Sequence, residues 1–207
     1  MASSVRFDKR VAASIESSLA VKHHLLQDKG LVSGISAAAA ICLHAVKSGR
    51  KLLLFGNGGS AADCQHIAAD FVGRFALDRR ALPAIALTVN TSSLTAIAND
   101  YGFEHVFSRQ VEALGKPGDV AIGVSTSGNS PNVLKGIATA RKMGLKTMAF
   151  TGTPGGKLRQ LRSLDCCVYA PSSSTPRIQE CHILIGHIIS EIVEQELFHA
   201  PGRVSRS

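Results

Sequence analysis

Two loops rich in glycine and serine, Gly56-Asn-Gly-Gly-Ser60 and Ser125-Thr-Ser-Gly-Asn-Ser130, each follow a short apolar run and each open onto a helical stretch. The apolar runs are Lys51–Phe55 and Val120–Val124, and three more occur at Pro83–Leu87, Thr147–Phe150 and Cys166–Tyr169. Short runs of this length, separated by helical segments, predict strands buried on both faces of a parallel sheet. Crossovers in such a sheet are right-handed and place helices on both faces. The expected fold is therefore α/β, a five-stranded parallel sheet flanked by helices. Ligands of open α/β sheets bind beyond the carboxyl ends of the strands, and both polar loops fall there.

The segments outside the sheet read as helix. Val11–Gln27 and Leu31–Lys47 carry apolar residues at helical spacing and are separated by Asp28-Lys-Gly30. A long amphipathic helix is expected from Pro176 to about Phe198. This divides the chain into an N-terminal helical extension over 1–50, expected to serve oligomerisation, a sheet domain over 51–199 and a disordered tail over 200–207.

Charge and cysteine content narrow the function classes. The 207 residues carry a net charge of +8, which fits nucleic-acid binding, anionic small substrates or plain solubility. The Lys and Arg residues are scattered, the densest stretch (Lys157–Arg162) resembles a solvated helix face, and no nucleic-acid module is recognisable. Five cysteines without CxxC spacing read as reduced thiols. No apolar run is expected to reach the roughly 18 residues that span a bilayer, and the N-terminus lacks signal-peptide character. These readings together predict a cytoplasmic protein.

The 125–130 loop is a candidate phosphate site. Ser130 suits a helix N-cap, Pro131 suits the first helical turn, and Gly128 allows a tight backbone turn. Hydroxyls from Ser125, Thr126, Ser127 and Ser130 stand beside a helix N-terminus, whose free N–H groups and dipole favour an anion. The loop lacks the Lys of a Walker motif and the third glycine of a dinucleotide motif, which disfavours nucleotides. A serine-rich capping turn has the same composition. In the 56–60 loop, Gly58 and Gly59 permit close backbone approach to a ligand, and Asn57 can hydrogen-bond sugar hydroxyls.

A second constellation lies on helices. His66 and Asp70 are four residues apart and share a face, as do Gln179 and His187, eight apart on the last helix. Two imidazoles, a carboxylate and an amide suit zinc or a similar ion. Each pair taken alone also suits an ordinary polar helix face. His182 lies on another face and is read as structural.

Taken in order, Gly56–Asp63, Gln65-His66, Leu94–Asp100, Ser125–Ser130, Thr151-Gly152, Arg177–His182 and His187 resemble the phosphoheptose isomerases (sedoheptulose-7-phosphate isomerases), members of the SIS (sugar isomerase) fold. The likeness runs from about residue 10 to 198. It implies a cytoplasmic homotetramer with active sites at subunit interfaces and zinc held by His66, Asp70, Gln179 and His187. It implies phosphate binding by Ser60, Ser125, Thr126, Ser127 and Ser130, and sugar contacts from Asn57, Gly58, Gly59, Asn99 and Asp100, with Asp70 and Gln179 also at the substrate. Asp70 and His187 become the acid–base pair for a ketose–aldose interconversion of sedoheptulose 7-phosphate that feeds heptose synthesis for surface polysaccharide. Two other readings remain at this stage: an isomerase of a different phosphosugar, and a non-catalytic SIS binding module such as a replication-initiator-binding adaptor. One residue departs from the family pattern, which has Glu at position 70. Aspartate is shorter by roughly 1.3–1.5 Å, and a misplacement of about 1 Å can cost about a hundredfold in rate.

Overall fold

The structure, a computed structural model, describes residues 2–198, with side chains from residue 7 onward. The expected tail at 200–207, and His199, lie outside the described residues. Two helices lead the chain, α1 (Ala2–Gln27) and α2 (Lys29–Lys47). There follow β1 (Leu52–Gly56), α3 (Gly59–Val72), β2 (Ala84–Ala86), α4 (Thr91–Tyr101), α5 (Val106–Leu114), β3 (Val120–Val124) and α6 (Pro131–Lys142). The chain continues through β4 (Lys146–Thr151), α7 (Gly156–Gln160), β5 (Cys166–Tyr169) and α8 (Thr175–Phe198).

The five strands pair in parallel in the order β2-β1-β3-β4-β5. All five expected runs are strands, and the order reverses direction between β1 and β3. That reversal is the topological switch point, where the loops from the two neighbouring strand ends part and leave a crevice. Gly56 at the end of β1 is in register with Val124 at the end of β3, so both polar loops leave the sheet side by side.

The apolar runs are continuous because both faces are covered. In β1, Leu52 and Leu54 enter the core shared with α2, α3 and α8. Leu53 and Phe55 enter the core shared with α5 and α6. All four are fully buried, each worth about 1.5–3 kcal/mol relative to exposure.

Three features differ from the sequence expectation. First, helices α4 and α5 are not signalled by the apolar runs. No residue of α4 is fully buried; its short apolar stripe, Leu94, Ile97 and Ala98, packs only partly buried against the core. Second, the division at residue 50 is not a packing boundary. Leu31, Ile35, Ala38, Ala39, Cys42, Ala45 and Val46 of α2 belong to the sheet core, and only α1 stands largely outside it. The break between α1 and α2 is a single residue, Asp28, whose carboxylate caps α2 by accepting from Gly30 N and Leu31 N. Third, α2 is by length and composition apolar enough to cross a membrane, contrary to expectation. Its apolar residues form part of the domain core.

Candidate active site

The phosphate-type loop is braced from two sides. Ser130 is the backbone N-cap of α6 and Pro131 opens the helix, but the Ser130 hydroxyl does not cap. It pairs with the Ser125 hydroxyl at 2.9 Å, which draws the two ends of the loop together. Gly128 has φ +68°, and a Cβ there would overlap the Gly155 carbonyl oxygen. The β4–α7 segment packs that closely because Gly152 N donates to Thr126 O and Leu158 N to Gly128 O, while Lys157 N donates to the Asn129 side chain. Behind this segment the fully buried His182 lies 2.9 Å from Thr151 O through Nε2. A carbonyl only accepts, so Nε2 carries the proton. Burial pushes the ring's pKa down to about 4 despite that hydrogen bond.

The Gly56–Ser60 loop is tied to the phosphate-type loop by Asn57. Its amide exchanges hydrogen bonds of 2.9 and 2.8 Å with Asn132 in the first turn of α6. The Asn57 side chain is thus engaged with protein. Gly58, with φ +55°, leads into α3, and Ser60 is buried in the first turn of that helix. A Cβ on Gly59 would overlap the Gln179 amide, so α3 and α8 touch at this point. Further along, a Cβ on Gly186 would overlap the Ile67 side chain. The two helices therefore run parallel and in contact, with Gly59 beside Gln179 and Ile67 beside Gly186.

At the Gly186 level three functional groups converge. His66 Nε2 and His187 Nε2 are 3.3 Å apart, and Asp70 places one oxygen 3.9 Å from each imidazole. The three ligand atoms form a cluster able to hold an ion. Zinc bonds of about 2.0–2.1 Å in tetrahedral geometry put ligand atoms about 3.4 Å apart, close to these spacings. Two further observations fit a cation: Asp70 Oδ2 is buried without a hydrogen-bond partner, and two imidazole nitrogens face each other. Burial raises the Asp70 pKa; the nearby histidines oppose that shift and Glu194 adds to it.

Gln179 does not join this cluster. Eight residues of helix separate it from His187, a rise of about 12 Å, and its amide lies on Gly59. Spacing put both residues on one face but could not reveal that they lie at opposite ends of the α3–α8 contact. Asn99 and Asp100 sit on exposed α4, where Asn99 donates to Asp100 at 2.8 Å. Among the described residues neither bonds to the two loops or to the histidine cluster.

The SIS domain family model matches residues 17–152. A phosphoheptose isomerase of Clostridium acetobutylicum is 53% identical over 188 residues, covering 91% of this chain and 95% of its own length. The phosphoheptose isomerase of Aquifex aeolicus is 60% identical over 157 residues, 76% of this chain and 81% of its own. The chain belongs to the phosphoheptose isomerase family. Solved phosphoheptose isomerases share the architecture. That of Neisseria gonorrhoeae superposes with a TM-score of 0.85 at 42% identity, covering 91% of this chain and 99% of its own. That of Francisella tularensis gives 0.86 at 34% identity, covering 90% and 97%.

One residue at the end of the Gly56–Asp63 segment was given no role by the sequence. Asp63 lies three residues before His66 and seven before Asp70, on the same face of α3. Its Oδ2 is buried without a partner, and burial raises its pKa to about 6 against the opposing pull of His66. The i, i+3, i+7 spacing of acid, histidine and acid was the available signal.

Proposed function

We propose that this chain is an aldose–ketose isomerase that converts D-sedoheptulose 7-phosphate to D-glycero-D-manno-heptose 7-phosphate, supplying heptose for surface polysaccharide. The observation that carries this reading is a single closely packed α3–α8 helix pair with two different ends. One end meets the hydroxyl-rich loop at the switch point, and the other holds a carboxylate among two imidazoles. A phosphorylated sugar in open-chain form suits that layout, with phosphate at Ser60, Ser125, Thr126, Ser127 and Ser130 and its carbonyl end at His66, Asp70 and His187. Gln179, Gly58 and Gly59 then line the path between.

The reaction removes a proton from C1 of the ketose, passes through an enediolate, and returns a proton to C2, while a proton moves from O1 to O2. Asp70 and His187 share these transfers. Burial makes the Asp70 carboxylate a stronger base than a solvated aspartate, which suits removal of a carbon-bound proton. The His187 imidazole can give and take a proton at oxygen. His66, Asp70 and His187 have the donor set for a zinc-like ion, one per subunit. When bound, such an ion supplies electrostatic stabilisation of charge on the substrate oxygens.

We read the protein as a cytoplasmic homotetramer with sites at subunit interfaces. Phe7, Val11, Ile15, Leu19 and Leu26 form an exposed apolar stripe along α1, which supports burial in an assembly. Five free cysteines support a reducing compartment. The test is turnover of sedoheptulose 7-phosphate by parent and Asp70→Asn. The parent is expected to isomerise it, and the variant to lose about 100-fold or more in kcat while still binding the phosphosugar. An Asp70→Asn variant as fast as the parent refutes the assignment.

A further inference from the structure

The last turn of α3, which carries Asp70, is held by a buried ion pair away from the reacting groups. A helix leaves its last four carbonyls without helical partners. At the end of α3, Ala69 O accepts from Gly73 N, and the guanidinium of Arg79 takes up the next ones. Arg79 Nη2 donates to Asp70 O at 2.6 Å, and Nη1 donates to Phe71 O at 2.8 Å and to Gly73 O at 3.0 Å. Arg79 Nε in turn donates to Glu194 at 2.9 Å, and the two side chains are 3% and 2% exposed. Glu194 also accepts from the backbone N–H groups of Phe75, Ala76 and Leu77 at 3.1, 2.8 and 2.9 Å. Burial alone would raise its pKa; these N–H groups and Arg79 outweigh burial and hold the carboxyl below its ordinary value.

The placement of this pair links both halves of the reacting cluster. Glu194 lies seven residues after His187 on the same face of α8. Arg79 grips the carbonyl of Asp70 itself. The loop that Glu194 holds presents the Phe75 ring 5.8 Å from the His187 ring. A break in this chain of contacts frees the end of α3 to fray and releases the ring beside His187. The phosphate-type loop, braced by β4 and α7, takes no part in it.

We propose that Arg79 and Glu194 are positioning residues of the isomerase: their buried pair fixes the last turn of α3 against α8 and thereby sets the spacing between the Asp70 carboxylate and the His66 and His187 imidazoles. This rests on the proposed function for its catalytic consequence, but its geometric content concerns the cluster alone. A lysine at 79 keeps the charge but, with a single ammonium, cannot bridge the carboxylate and three carbonyls.

The test compares Arg79→Lys and Glu194→Asp with the parent, each first checked for folding by circular dichroism. For the folded variants, kcat and KM for sedoheptulose 7-phosphate are measured, together with the zinc affinity of the metal-free protein by competition with a chromophoric chelator. The expected result is a fall in kcat of roughly 10- to 100-fold, KM within about threefold, and zinc affinity lower by roughly 10- to 100-fold. Glu194→Asp supplies the same comparison if Arg79→Lys does not fold. Either folded variant with parental kcat and zinc affinity overturns the proposal. So does a loss confined to KM, because that places the disturbance at the phosphate end. If the parent does not isomerise the sugar, the proposed function fails, and the zinc comparison alone decides the positioning role.

Discussion

Lowering the pH should unlock the phosphate-type loop from behind, through His182. In the fold Nε2–H donates to Thr151 O, and Nδ1 is buried with no partner. A second proton would sit on Nδ1 facing no acceptor, and burial accordingly lowers the pKa from 6.5 to about 4. The folded pKa of this base lies below the unfolded one, so the unfolded chain takes up the proton first as pH falls. His182 therefore contributes its full stability above pH 6.5 and loses it as pH falls from 6.5 to about 4. A difference of about 2.5 units at about 1.4 kcal/mol each gives about 3 kcal/mol over that window. The ring is fully buried, so solvent screening does not reduce the figure. Urea unfolding of parent and His182→Gln at half-unit pH steps measures it. The glutamine keeps an N–H donor for Thr151 O without a titrating nitrogen, so the parent should lose about 3 kcal/mol relative to the variant between pH 6.5 and 4. Parallel stability curves for the two proteins would show that His182 is not held neutral by the fold.

Gly128→Ala forces a left-handed turn onto a side chain and drives a Cβ into the Gly155 carbonyl, a backbone atom that cannot rotate away. KM for the phosphosugar should rise roughly 10- to 100-fold, read by steady-state kinetics, and an unchanged KM would remove the loop from phosphate binding. Protein purified without chelator should contain one zinc-like ion per subunit by elemental analysis, and His66→Ala should lose it. Stoichiometric metal retained in that variant would place the ion elsewhere. Light scattering should report a tetramer, and Leu19→Glu, in the α1 stripe, should shift it toward smaller species; a monomeric, active parent contradicts the assembly.

The central strands β1 and β3 were legible because they are buried on both faces, which leaves a run such as Leu52–Phe55 without a polar position. The loops were legible because glycine and hydroxyl residues cluster where a strand meets a helix. Helix α4 was not, since it fully buries no residue and its short stripe of Leu94, Ile97 and Ala98 is interrupted by Thr, Ser and Asn. That α2 packs into the sheet core was not legible for a related reason. An apolar helix packed on a sheet and one packed on a partner have the same periodicity, and only the contacts of Leu31, Ile35 and Cys42 assign α2 to the core. For the site, spacing identified faces but not depth. His66 and Asp70 share a turn and meet, whereas Gln179 and His187 share a face and lie about 12 Å apart along it.

The shorter acid at position 70 shows what spacing cannot convey. A carboxylate retracted by one methylene reaches His187, which lies on α8, only if α3 sits close to that helix. Two glycines allow that approach. Gly59 of α3 lies on the Gln179 amide, and Gly186 of α8 lies on Ile67; at each position a Cβ would overlap the opposite side chain. The glycines remove the obstacle, but removal alone does not hold two helices together. Arg79 and Glu194 supply the hold at the end where Asp70 lies, through contacts to the α3 carbonyls and to the loop beyond them. With both in place the Asp70 oxygens stand 3.9 Å from His66 and His187, a spacing an ion can bridge. Neither part is visible in the His66–Asp70 motif. A glycine two turns away and an arginine past the helix end bear on whether the motif closes around the shorter acid.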